Sequence, residues 1–115
     1  MPLPELIKTL VEKKLSAYCA RKVPPRVADK IRLSFAIRGK SVTIFENRAP
    51  WRPEFTEWTS MPIPQLCYDE KTGKWVLYCA DRNDRWHKYE GLPPTKEIDY
   101  ILAEIDRDPT GIFWG

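Results

Sequence analysis

From Leu3 to Tyr18 apolar side chains recur at three- and four-residue spacing: Leu3, Ile7, Leu10, Val11, Leu15 and Tyr18. That repeat predicts a helix over residues 4–22 with one broad apolar face. Pro4 suits its first position and Glu5 its first turn, and Val23-Pro24-Pro25 stops it. The period then changes to two. Ile31, Leu33, Phe35 and Ile37 alternate with Arg32, Ser34, Ala36 and Arg38, as in a half-buried strand. Folding about Gly39-Lys40 sets Ile37 opposite Val42 and Phe35 opposite Ile44, so a hairpin with a positive φ at Gly39, of type II′, is expected.

Residues 48–62 have no period. Pro50, Pro53 and Pro62 punctuate Trp51, Phe55 and Trp58, which predicts an ordered loop pinned by its own aromatics, with a helical turn near Glu54. Ile63–Tyr68 and Lys74–Ala80 read as strands joined by a loop ending at Gly73, and Arg85–Tyr89 as a further short strand after the turn at 81–84. Gly91-Leu92-Pro93-Pro94 precedes a second helix with Thr95 as N-cap and Ile98, Ile101, Leu102 and Ile105 as its stripe. Asp108-Pro109 ends that helix, and Ile112, Phe113 and Trp114 are apolar enough to dock on the core. The expected fold is therefore α+β over one domain, 1–115: an N-terminal helix, an antiparallel sheet of about five strands built from hairpins, and a C-terminal helix packed on the sheet.

Composition adds limits. No apolar run approaches the roughly 20 residues of a membrane span, and no signal-peptide core opens the chain, so a cytoplasmic protein without membrane contact is expected. Cys19, Cys67 and Cys79 are odd in number and scattered, which favours reduced thiols. Charge is uneven. Residues 1–40 carry ten basic and three acidic side chains, residues 41–115 nine and thirteen. Arg21, Lys22, Arg26, Lys30, Arg32, Arg38 and Lys40 face only Asp29 in their stretch, and would form a polyanion-binding surface if the fold gathered them. Solvated charges spread over several faces are the plainer reading.

Most catalytic chemistry lacks its residues. His87 is the only histidine, and Cys19, Cys67, Cys79 and His87 have no zinc-site spacing, so neither metal nor cofactor is expected. Phosphate-cradling glycine loops and a nucleophile elbow are missing. One constellation remains. On a strand, Arg85, His87 and Tyr89 share a face, a row suited to metal-independent RNA cleavage with histidine as base, arginine on the phosphate and tyrosine as acid or orienting group. The plainer alternative is an edge strand with Trp86 turned inward.

Nine of the fourteen aromatic residues fall between Phe45 and Tyr89, interleaved with cations. Such a block can be a stacking surface for single-stranded nucleic acid or the core of a small sheet. Seven acids balance its seven bases, and Trp75 shares a strand face with Leu77 and Cys79, so most of these rings are expected inside. Trp51 and Trp58, on the proline-rich loop, are the expected exceptions.

Val23-Pro24-Pro25-Arg26, Ile31-Arg32-Leu33, Phe45-Glu46-Asn47-Arg48, Glu57-Trp58-Thr59, Trp75-Val76-Leu77-Tyr78, Trp86-His87-Lys88-Tyr89 and the ending from Asp108 to Gly115 together resemble a bacterial family catalogued as domain of unknown function 3024. The resemblance spans nearly the whole chain. In that family cysteine often stands where this chain has Ile112, which argues against a required thiol there. The resemblance implies a bacterial, single-domain, intracellular protein and no particular activity. The preferred expectation is a small binding or accessory domain for nucleic acid or another polyanion, using Arg21–Lys40 with Trp51 and Trp58. A ribonuclease centred on His87 and a protein-interaction module using Trp51, Phe55 and Trp58 are the alternatives. Oligomeric state is not legible.

Overall fold

In the computed structural model, which describes residues 3–50, 52, 54–81, 83, 85–109 and 111–113, the strands lie side by side in the order in which they occur in the chain. They are β1 (Ile31–Arg38), β2 (Ser41–Arg48), β3 (Thr59–Asp69), β4 (Lys74–Ala80) and β5 (Trp86–Lys88), all antiparallel. Helix α1 (Glu5–Lys22) and helix α2 (Ile98–Arg107) bury their apolar faces with one face of this sheet, giving the expected α+β architecture.

The first hairpin has the register its sequence dictates, with Ile37 opposite Val42 and Phe35 opposite Ile44. Gly39 has φ 60° while Lys40 does not have a positive φ, which is the type II′ pattern. Strand β3 is longer than expected, because Thr59–Pro62, read from the sequence as loop, pairs with Phe45–Arg48. The ladder slips between Thr43 and Phe45, opposite Ile63 and Pro64. Pro64 has no N–H to offer Ile44, so a bulge at that point is the local solution. Beyond it, Ile63 takes over the inward position that Pro64 and Leu66 hold on the other side.

The core lies between the helices and the inward strand positions Val42, Ile44, Ile63, Leu66, Trp75, Leu77 and Cys79. Val11, Leu15, Tyr18 and Cys19 supply α1, and Ile98, Ile101, Leu102 and Ile105 supply α2. Two helix expectations are corrected. Leu10, assigned to the apolar face of α1, is 41% exposed, since it lies a third of a turn away from the buried line Val11–Leu15–Tyr18. Thr95 does not cap α2, whose N-cap is Glu97. Instead it exchanges both backbone hydrogen bonds with Trp75, at 2.7 and 3.1 Å, and so extends the edge of β4 beside β5. At the other end Asp108 closes α2 in the left-handed conformation (φ 42°), and its carboxylate accepts the Phe113 N–H at 3.0 Å, seating Phe113 against Tyr89 in the core.

Candidate functional site

Both helices cover the same face of the sheet, and among the described residues no helix or strand covers the other. Strand alternation assigns its residues: Arg32, Ser34, Ala36 and Arg38 on β1; Ser41, Thr43, Phe45 and Asn47 on β2; Ser60, Pro62, Gln65 and Cys67 on β3; Val76, Tyr78 and Ala80 on β4; Trp86 and Lys88 on β5. Phe45, Tyr78 and Trp86 are half-buried, so each ring rests on the sheet and keeps part of its surface open to water.

The geometry is a shallow trough. Ala36, Arg38, Thr43, Phe45, Pro62, Gln65 and Trp86 line a hollow of about 350 Å³. Trp86 lines it from β5, where it pairs with the small Ala80 of β4. Toward the far corner a polar row crosses three strands: Ser60 donates to Asn47 at 2.6 Å, and Asn47 donates to Ser34 at 2.9 Å. Trp58 lies at that corner, stacked on the Arg32 guanidinium at 4.6 Å from its ring centroid, while Arg32 Nε donates to the Ala28 carbonyl at 3.0 Å. Among the described strand residues this face carries Arg32, Arg38, Lys74 and Lys88 against the single acid Asp69, which pairs across the ladder with Lys74.

The expectation that most rings of the block turn inward is thereby corrected. Trp75 (2% exposed) and Tyr89 are in the core and Tyr68 packs against it, but Phe45, Tyr78 and Trp86 are on the open face, Trp58 is at its corner, and Phe55 is 50% exposed on the loop. Trp86 in particular points away from the core that the plainer strand reading assigned to it. Alternation would have revealed this in the sequence, since Trp75, Leu77 and Cys79 inward require Val76, Tyr78 and Ala80 outward. The neutral charge of the block also concealed a segregation: its acids sit mainly at turns and on the loop.

The seven cations from Arg21 to Lys40 do not form one cluster. Arg21 and Lys22 reach Asp106 of α2 at 3.7 and 3.0 Å, and Lys40 reaches Glu70 at 3.6 Å. Arg26 and Lys30 are exposed between α1 and β1. Only Arg32 and Arg38 belong to the open face, while Trp51 lies outside the described residues.

The Arg85, His87 and Tyr89 row is divided between environments. The Tyr89 hydroxyl is buried and donates to Glu104 at 2.7 Å, and desolvation together with this bond pushes its pKa up to about 12. His87 is exposed and meets Asp81 through Nε2 at 2.6 Å. Asp81 also accepts the backbone N–H groups of Asn83 and Arg85, at 2.8 and 2.9 Å, which organises the connection from β4 to β5. Its carboxyl is held below the usual range chiefly by the Arg85 amide, with His87 contributing. Cys67 faces the open side and Cys79 the core, so their paired strands do not bring the thiols together. Among the described residues no three or more His, Cys, Asp or Glu side chains are arranged to hold a metal ion. No helix among them is long and apolar enough to cross a membrane.

The family model described as domain of unknown function (DUF3024) matches residues 3–115. The chain belongs to this family. Neither the curated proteins nor the solved structures gave a match. DUF3024 membership accounts for the sequence motifs quoted above. Four of them, around Ile31, Phe45, Trp75 and Trp86, form strands β1, β2, β4 and β5 of the sheet that bears the aromatic trough.

Proposed function

We propose that this DUF3024 protein binds single-stranded nucleic acid on the helix-free face of its sheet. One observation carries the reading: half-open rings of Phe45, Tyr78 and Trp86 share that face with Arg32, Arg38 and Lys88, and among the described strand residues the face itself carries one acid, Asp69. Bases stack on rings and phosphates pair with cations, and a shallow open sheet admits an unpaired strand more readily than a duplex. The hydroxyl and amide groups of Ser34, Asn47, Ser60, Thr43 and Gln65 between the rings supply donors and acceptors for base edges.

The test is a titration of labelled oligouridylate and oligothymidylate at increasing salt. Binding is expected to weaken with salt with a log–log slope of roughly −2 to −3, at about 0.7 per phosphate neutralised by three or four cations. Trp86→Ala and Phe45→Ala are each expected to cost about 1–3 kcal/mol of binding. Absence of binding at low salt, or affinity in both variants equal to that of the unsubstituted protein, removes the proposal. The cleavage reading has weaker support, because the tyrosine it needs has its hydroxyl committed to Glu104 inside the core.

A further inference from the structure

The sheet has a second unsatisfied feature, its β1 edge. In the β1–β2 ladder the two-residue turn makes Arg38 and Ser41 a hydrogen-bonded pair, and the Ala49 N–H donates to the Lys30 carbonyl at the other end. Even-numbered residues of β1 therefore bond to β2, and the N–H and C=O groups of Ile31, Leu33, Phe35 and Ile37 point to the free edge. Leu3 donates to the Gly39 carbonyl and covers the turn end of that edge. Among the described residues nothing pairs with the edge groups of Leu33 or Phe35.

Beside this edge runs a groove of about 540 Å³, lined by Ser16, Cys19, Ala20 and Val23 of the α1 end and by Ala28 and Arg32–Phe35. Its helix wall is made of small side chains, which leaves room for side chains from an added strand. Edge strands are ordinarily protected by proline, a bulge, or an inward-pointing charge. β1 has none of these over Leu33–Ile37.

We infer that the β1 edge and the adjoining groove bind an extended segment of another protein, in which small apolar residues alternate with acidic ones. The backbone of the segment pairs with Leu33 and Phe35, as in other cases of strand addition. Its apolar side chains enter the groove over Cys19, Ala20 and Val23. Its alternate side chains lie next to Arg32, Ser34, Ala36 and Arg38, a row with two cations and no acid, which selects carboxylates. A second copy of this chain fits worse. Antiparallel pairing centred on Phe35 opposes Arg32 with Arg38 of the copy, and centring on Ser34 opposes Arg38 with Lys30. Like charges face each other either way.

The probe is a synthetic peptide alternating valine with glutamate and serine, compared with the same peptide carrying lysine for glutamate. Fluorescence polarisation reads affinity, and amide hydrogen exchange reads the edge. The glutamate peptide is expected to bind, to protect the Leu33 and Phe35 amides, and to lose about tenfold in affinity when lysine replaces glutamate or when Ala20→Glu places a carboxylate at the groove. Ala20 is exposed on α1, so Ala20→Glu folds normally, and oligonucleotide titration of the same sample reports separately on the open face. Equal binding of both peptides, or binding without protection of those two amides, overturns the inference. So does finding the two amides already protected in a dimer without peptide, since a second copy would then occupy the edge.

Discussion

At the residue scale, Asp81 shows how one side chain positions another that it does not touch. Its two oxygens hold the Asn83 and Arg85 amides and the His87 ring, and so fix the turn from which Trp86 extends onto the open face. Because these bonds favour the carboxylate, the folded pKa lies below the unfolded value. The stabilisation is present above ordinary carboxylate pKa values and is lost as pH falls through the depressed one. Acidification from neutral to about pH 2 should therefore release the Asn83 and Arg85 amides, observable by their NMR shifts, at a lower pH than that at which exposed carboxylates titrate. Asp81→Asn should keep the amide bonds, weaken the His87 contact and broaden the Trp86 indole resonance. Tyr89 offers the contrasting case of a group set by burial. Tyr89→Phe leaves the Glu104 carboxylate, which is almost fully buried, without its hydroxyl donor, and should destabilise the fold by roughly 1.5–3 kcal/mol in urea denaturation.

At the element scale, legibility followed the strength of the local repeat. The first hairpin was readable to the residue because Ile37/Val42 and Phe35/Ile44 agree only in one register, and that register is set by a glycine turn. Helix positions were equally clear from the Ile98–Ile105 stripe. What escaped was controlled by non-local pairing. Thr95 has the chemistry of an N-cap, yet Trp75 claims both its backbone groups. Thr59–Pro62 lacks strand alternation, yet β2 is long enough to pair with it, and Pro62 is tolerated because its absent N–H points to the side where β4 has ended. The open face is hidden from any sum of acids and bases along the chain, because a pleated sheet sorts them across two faces. The segment linking β5 to α2 supplies a sharp test. A Cβ on Gly91 would lie 2.6–2.7 Å from the buried Tyr89 ring. Gly91→Ala should cost about 1–3 kcal/mol through overpacking, and Tyr89→Leu in the same chain should recover part of that loss.

For the whole molecule, burial of four weakly acidic groups sets an alkaline limit. Desolvation raises Cys19 to about 11 and also raises Cys79, and burial with an acceptor carboxylate raises Tyr89 to about 12 and raises Tyr18 as well. Each holds its proton more tightly folded than unfolded. Stability is therefore full below the unfolded pKa values, 9.0 for the thiols and 10.0 for the phenols, and declines as pH rises toward the folded ones. Denaturant midpoints should be flat through neutral pH and fall steadily from about pH 9 upward, and Cys19→Ala with Tyr18→Phe should make that fall shallower. If the midpoints instead rise in that range, the burial of these groups is misassigned. Thiol labelling should follow the same order, with the half-buried Cys67 reacting before Cys19 and Cys79.

The two helices close their layer through Tyr18, whose hydroxyl donates to Asp106 at 2.9 Å across 88 residues of chain. Every strand after β1, by contrast, pairs with the strand made just before it. During ribosomal synthesis the sheet can thus assemble hairpin by hairpin as it emerges, while the apolar side of α1 waits for the last helix to complete its cover. Arrest of translation before Ile98 should give a nascent chain with paired strands and a protease-sensitive, dye-binding core, and addition of the final helix should abolish both properties together.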